Sequence, residues 1–267
     1  ELLSKEGTSV INYDDIWGRK LIGEVIGKVL TYGLETGADM FATGIKDSFE
    51  GLVVDIKFRD RTHSIKSPLV GMHNVYNILS AAGAAVSLNV PWDVIIDGIR
   101  KMCFVKGRFE KINAGQDFLC IVDYAHTEDA LERLIHTARE LKQSASQGKI
   151  ITVFGCGGNR DRGKRPRMGA IATKLSDYVV ITSDNPRDEE PMEIIKEIEA
   201  GASRNNYVVE PDREKAISAA VNAAGEGDIL LVAGKGHEDY QEIKGVRHKF
   251  SDREALEAAI RDRTKNV

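Results

Sequence analysis

Cysteine is scarce in this 267-residue chain, and what there is does not pair. Cys103, Cys120 and Cys156 are odd in number, widely spaced and without a CxxC, which argues against a disulfide framework and a zinc site. Cys120 lies in the apolar run Phe118-Leu119-Cys120-Ile121-Val122 and reads as core. No apolar run approaches the roughly 18 residues that span a bilayer, and the first residues carry no basic-then-apolar signal pattern. There is no block of like charge: a formal net charge of -4 is spread over interspersed acids and bases. A general nucleic-acid binder or an anionic-membrane binder is therefore not expected. Repeats and low-complexity segments are also lacking. The cysteine usage points to a reducing cytoplasm; a monomer acting on small molecules is expected. The chain begins at Glu1 rather than Met, so a piece of a longer protein is expected.

What is present is a patterned α/β sequence. At 42% hydrophobic and 29% charged residues, the chain can bury a sizeable core and stay in solution. From about residue 117, apolar β-rich runs (118–122, 150–154, 178–182, 207–209 and 229–233) alternate with amphipathic helical patterns near 127–143, 167–175, 191–202, 213–224 and 252–261. Continuous apolar strands with helical crossovers predict a mostly parallel sheet covered on both faces. Ligands of such sheets sit beyond the carboxyl ends of the strands. The first hundred residues differ. Strands are expected at 9–11 and 29–32, and an antiparallel pair at 52–58 and 62–65 turned at Arg59-Asp60-Arg61. Helices are expected over 74–87 and 92–102, with Gly107 ending the helical pattern.

Four polar motifs follow the later strands, and each has an ordinary structural alternative. Gly155-Cys156-Gly157-Gly158-Asn159-Arg160 lacks the last glycine of a dinucleotide fingerprint. Gly158 to Lys164 fits GxxxxGK, but Arg165 stands where a P-loop needs a hydroxyl for magnesium, and Pro166 is expected to start the helix. This leaves a basic glycine-rich loop suited to a carboxylate or another anion, or merely a solvated one. In Asp184-Asn185-Pro186-Arg187 the proline fixes φ, so Arg187 is presented on a rigid turn suited to bidentate carboxylate recognition. Equally, Asp188, Glu189 and Glu190 could simply complement the next helix dipole. In Gly234-Lys235-Gly236-His237-Glu238 the glycines permit close approach, and Glu238 could pair with a substrate ammonium. Gln241 rules out HExxH. His126 in Asp123-Tyr124-Ala125-His126 could do acid–base work or contact phosphate, or Thr127 could cap a helix there. There is no GxSxG elbow. Earlier in the chain, His73 or Asn74 can cap the helix that follows Gly71.

Taken in order, Gly71-x-His73-Asn74-x-x-Asn77, Gly107-Arg108-Phe109-Glu110, Asp123-Tyr124-Ala125-His126, Gly155 to Asp161, Lys164-Arg165-Pro166, Asp184-Asn185-Pro186-Arg187 and Gly234 to Gln241 resemble the Mur ligase and folylpolyglutamate synthetase superfamily. Within it the resemblance is to the MurE-type branch, whose Asp-Asn-Pro-Arg motif accompanies meso-2,6-diaminopimelate specificity. The implied architecture is α/β: residues 1–106 as the later part of the central ATP-binding domain, P-loop absent, and 107–267 as the Rossmann-like C-terminal domain.

The resemblance also implies roles. Arg160, Asp184, Asn185, Pro186, Arg187, Gly234 and Glu238 would form the diaminopimelate pocket. His73, Asn74, Asn77, Arg108 and Asp123 would attend ATP, and His126 would stand near the reacting phosphate. Magnesium would be held mostly upstream, with no metal ligand in this chain. The implied activity is ATP-dependent joining of meso-diaminopimelate to UDP-MurNAc-L-Ala-D-Glu through an acyl phosphate in peptidoglycan precursor synthesis. The fragment alone is expected to be inactive. A related ligase with another amino acid, or a non-catalytic nucleotide- or amino-acid-binding module, is the alternative. Glu128, where the family has Pro, and Asn159, where many relatives have Asp, depart from the pattern.

Overall fold

The computed structural model describes residues 4–48, 50–143 and 148–265. The chain divides into two compact units, Glu1–Cys103 and Phe104–Val267.

In the first unit, β1 (Thr8–Asn12), β2 (Lys28–Gly33), β3 (Met40–Ser48), β4 (Gly51–Phe58) and β5 (Arg61–Ser67) form one sheet in sequence order. β1, β2 and β3 pair in parallel, and β3, β4 and β5 antiparallel. The expected hairpin at 59–61 is present, with Arg59 in the left-handed region at φ 53°. α1 (Ile16–Ile22) is short and is capped by Asp15, whose carboxylate accepts from the N–H groups of Trp17 and Gly18. α2 (Met72–Ser87) and α3 (Trp92–Lys101) complete the unit. The apolar face of α2 (Val75, Ile78, Leu79, Ala82) packs on Met40, Leu52, Val54, Ile56 and Ile65. Each large aliphatic side chain buried there contributes about 1.5–3 kcal/mol relative to exposure.

Two sequence expectations are corrected here. Neither His73 nor Asn74 caps α2: its N-cap is Gly71 at φ 90°, without a side-chain cap. Asn74 instead turns inward, and its Nδ2 donates to the Val70 carbonyl at 2.7 Å. Nor does Gly107 end a helix, since α3 stops at Lys101. Gly107 lies at φ 67°, and a Cβ there would meet the His237 backbone nitrogen at 2.0 Å, so both its conformation and its close packing call for glycine.

The second unit is built on a six-stranded sheet. Its strands are β6 (Glu110–Ile112), β7 (Leu119–Asp123), β8 (Ile150–Phe154), β9 (Tyr178–Ile181), β10 (Tyr207–Val209) and β11 (Ile229–Ala233), in the order β10-β9-β8-β11-β7-β6. All pairs are parallel except β6–β7. Every residue of β8 and β11 is buried, as their uninterrupted apolar sequences require in a sheet covered on both faces. α7 (Arg213–Ala223) and α8 (Asp252–Lys265) cover one face, where Ile217, Val221, Leu256 and Ile260 meet Val122, Val153 and Val232. α4 (Glu128–Gln143), α5 (Lys164–Leu175) and α6 (Pro191–Glu199) pack from the other side. A hairpin of β12 (Tyr240–Ile243) and β13 (Val246–Lys249) lies apart from the sheet.

The expected start of α5 at Pro166 is also corrected. The helix begins at Lys164 and Pro166 sits in its first turn, where its missing N–H would have had no helical partner.

Candidate functional site

The parallel pairing of β7, β8, β9 and β11 brings their following loops to one sheet edge, and these loops are locked to each other by close contacts. The loop after β8 lies on the loop after β9. Gly158 donates its N–H to the Asn185 carbonyl at 2.9 Å, and a Cβ at Gly158 would meet the Pro186 oxygen at 1.9 Å. Gly155 likewise faces the Thr182 carbonyl, 2.3 Å from where its Cβ would be. These two glycines are therefore accounted for by backbone-on-backbone packing. Asn159 takes up the left-handed conformation (φ 53°) that asparagine tolerates.

Arg165, which reads in sequence as a missing P-loop hydroxyl, is fully buried. Its guanidinium bridges both Glu189 oxygens and Glu197, and donates to the Gly157 carbonyl. Glu189 also accepts from the Asn159 N–H. The Arg165 guanidinium, aided by that backbone donor, holds the Glu189 carboxyl down to about 2. The cation thus ties α5 to the loop before α6. Lys164 Nζ donates to the His126 carbonyl at 2.7 Å and Arg162 pairs with Glu197, so Arg162, Lys164 and Arg165 of this stretch are all spent on protein groups.

Arg187 is held in the left-handed region at φ 52°. Its N–H donates to Glu242 O and its carbonyl accepts from Lys244, so the β12–β13 hairpin clasps it from the backbone. Its guanidinium donates to the Gly158 carbonyl at 2.8 Å, and Glu242 lies 3.7 Å from Nε. Asn185 is buried and doubly committed: Nδ2 donates to Glu238 Oε2 at 2.8 Å, and Oδ1 accepts from Lys235 Nζ at 2.9 Å and Glu242 N–H at 3.0 Å. Asp184, also buried, lies 3.4 Å from Lys235 Nζ. Gly234 (φ 118°) presses against Asp184, with a would-be Cβ 3.2 Å from Oδ2. Asp184, Asn185, Pro186, Arg187, Gly234 and Glu238 are thus brought together. Arg160 sits on the neighbouring β8 loop, exposed and without a polar partner among the described residues.

Sequence reasoning missed two buried cations at this site. Lys235 is fully buried between Asp184, Asn185 and Glu238. Arg213, also fully buried, forms a two-pronged pair with Asp252 and donates to the carbonyls of Ser183 and Ala233, joining the ends of β9 and β11. Their positions, Lys235 after the glycine that follows β11 and Arg213 opening a helix after the cap Asp212, are the signal that the sequence carries, and it marks neither as buried.

The β7 loop neighbours the β11 loop. Asp123 accepts from the N–H groups of Phe109 and Ala125, and its carbonyl accepts from Gly234. Both carboxylate oxygens thus already serve the backbone. Arg108 is exposed and lies over the Tyr124 ring at 4.8 Å. His126 packs edge-on to Tyr124 at 4.5 Å, with Nδ1 2.8 Å from the Tyr124 carbonyl. In the first unit, His73, Asn74 and Asn77 share the opening turns of α2, where Asn77 Nδ2 donates to Asn74 Oδ1 at 3.1 Å and His73 Nε2 lies 3.1 Å from Asn74 Nδ2. Cys120 and Cys156 are buried, and burial pushes both thiols up to about 12, so neither is a nucleophile at neutral pH. Among the described residues no three of His, Cys, Asp and Glu come together as a metal site, and none of the helices is long and apolar enough to cross a membrane.

Comparison with known proteins fits this arrangement. The Mur ligase middle domain model matches residues 1–85, and the Mur ligase glutamate ligase domain model matches residues 107–236. A UDP-N-acetylmuramoyl-L-alanyl-D-glutamate--2,6-diaminopimelate ligase of Solibacter usitatus is 46% identical over 92% of this chain and 49% of its own length. A solved structure of a ligase of the same name shares 35% identity over 97% of this chain and 54% of that one, with a TM-score of 0.68. A MurF ligase of Thermotoga maritima, crystallised with ADP, shares the fold at 19% identity and a TM-score of 0.67, over 97% of this chain and 55% of that one. The chain spans about half the length of the curated relatives it matches. With both domain models in their expected order, and with relatives at this identity along nearly all of its residues, the chain belongs to the Mur ligase family.

Proposed function

We propose that this chain carries the amino-acid-receiving part of an ATP-dependent ligase that joins meso-2,6-diaminopimelate to UDP-MurNAc-L-Ala-D-Glu in peptidoglycan precursor synthesis. The observation that carries the reading is the meeting of Arg187, Asn185 and Glu238 beyond β9 and β11. Diaminopimelate has two carboxylates and two ammonium groups. Arg187, with Arg160 on the next loop, offers guanidinium to a carboxylate. Glu238 offers an acceptor to an ammonium. Lysine lacks the distal carboxylate and would leave a guanidinium unanswered. The names of the relatives, which specify diaminopimelate, support the same choice.

In the proposed reaction, ATP phosphorylates the D-glutamyl carboxylate, and an amine of diaminopimelate attacks the resulting acyl phosphate and expels phosphate. The contribution assigned to this pocket is positioning of the amine. Arg108, Asp123, His73, Asn74 and Asn77 are proposed on the nucleotide side, and His126 near the reacting phosphate. No step is assigned to a magnesium ion on this chain, whose described residues offer no cluster for one. The protein would act in the cytoplasm as a monomer, on small-molecule substrates.

Calorimetric titration of the chain with meso-diaminopimelate and with L-lysine tests the reading. Diaminopimelate binding that is lost in Arg187→Ala is the expected result. Equal binding of lysine would transfer the chain to a ligase of another specificity, and binding of ATP with neither amino acid would favour a nucleotide-binding module.

A further inference from the structure

We propose that Lys235 is a positioning residue: a buried ammonium that aims Asn185 and Glu238 and fixes the net charge of the pocket. The proposal rests on the amino-acid-pocket reading above.

A lysine is rarely taken wholly out of water, and only when its charge is compensated. Lys235 Nζ has three donors and three acceptors around it: Asn185 Oδ1 at 2.9 Å, Glu238 Oε2 at 3.3 Å and Asp184 Oδ1 at 3.4 Å. None of its donors is left for a ligand, so Lys235 acts through its neighbours. The first is Asn185. The ammonium and the Glu242 N–H both demand the oxygen of the Asn185 amide, which forces Nδ2 toward Glu238 Oε2. Flipping that amide would set two donors against an ammonium. The second is Glu238. Its Oε2 accepts from both Lys235 and Asn185, while Oε1 has no partner among the described residues and remains for a ligand ammonium.

Charge completes the case. Behind the pocket, Arg213 pairs with Asp252, both fully buried. Counting Arg187 with Glu242 and Arg160 on the next loop, four carboxylates (Asp184, Glu238, Glu242 and Asp252) meet four cations (Lys235, Arg213, Arg187 and Arg160). That balance suits a ligand with no net charge, such as diaminopimelate. Without Lys235 the pocket turns net negative, and a net-positive amino acid gains on a neutral one.

The test compares the full 267-residue chain with Lys235→Met and Lys235→Arg. Titration with meso-diaminopimelate and L-lysine should show diaminopimelate affinity falling roughly tenfold or more in Lys235→Met, with the lysine-to-diaminopimelate affinity ratio rising. Lys235→Arg should keep the ratio. Equal weakening of both ligands, with Arg no better than Met, would be plain structural damage and would overturn the proposal. A second reading needs no ligand: the Asn185 side-chain amide, followed by NMR, should be protected from exchange in the wild type and lose that protection in Lys235→Met. An unchanged Asn185 amide in a folded Lys235→Met chain overturns the proposal as well. If the wild type binds neither amino acid, the pocket reading fails while the amide still decides what Lys235 does. Should Lys235→Met not fold, Lys235→Met/Asp184→Asn removes both charges of one contact and carries the amide reading.

Discussion

Arg165 holds more of the site's frame than any sequence motif suggests. Replacing it with Met would leave Glu189 with the Asn159 N–H and Glu197 with Arg162, and would free the Gly157 carbonyl. The expected loss is about 1.5–3 kcal/mol of unfolding free energy, the range for hydrogen bonds to charged groups, read from urea denaturation. The same pair gives a pH dependence. Glu189 is held down to about 2 by Arg165 and the Asn159 N–H, against an ordinary value of 4.5. A depressed carboxyl stabilises the fold fully above the unfolded value and loses that contribution as pH falls through the folded one. Stability should therefore decline between about pH 4.5 and 2, and Glu189→Gln should flatten that limb in urea melts run across it.

Some residues were legible in the sequence and others were not, for a physical reason. Arg187 could be singled out because Pro186 and the preceding strand fix where it stands. Arg165, Lys235 and Arg213 could not, because a lysine or arginine reads as solvated until a fold supplies partners for it. Asp123 shows the reverse case: a motif acid whose two oxygens are occupied by N–H groups of its own unit.

At the scale of elements, hydrophobic pattern decided what could be foreseen. β8 and β11, buried throughout, announce themselves as unbroken apolar runs. The β4–β5 hairpin does so by its turn at Arg59-Asp60-Arg61. β3 escapes notice because Gly44, Lys46 and Asp47 break its run, and its pairing with β4 slips between Thr43 and Lys46. β12 and β13 have no buried residue at all, so no periodicity marks them, yet this hairpin holds the Arg187 backbone. Loop-on-loop packing predicts an effect at Gly158. Gly158→Ala would set its Cβ 1.9 Å from the Pro186 carbonyl oxygen, which must move away, and should break the Arg187–Gly158 bond. The expected outcome is a weakening of diaminopimelate binding of roughly tenfold, equivalent to about 1.4 kcal/mol, in a chain whose circular dichroism is unchanged. Full-strength binding in the alanine variant would show that the two loops need not touch.

For the whole molecule, each unit has its own buried cluster, one around α2 and one between the six-stranded sheet and α7 and α8. Residues 104–267 expressed alone should therefore fold, with a cooperative melt measurable by circular dichroism. A melt without a cooperative transition would mean that its core depends on the first unit. The order β10-β9-β8-β11-β7-β6 also bears on how the chain leaves the ribosome. β11 is the last strand of that sheet to be made, yet it lies between β7 and β8. Until residue 233 has emerged, those two strands have no common neighbour and their apolar edges stand bare. A nascent chain stalled just before Ile229 should consequently recruit chaperones, whereas one released beyond Ala233 should need them far less.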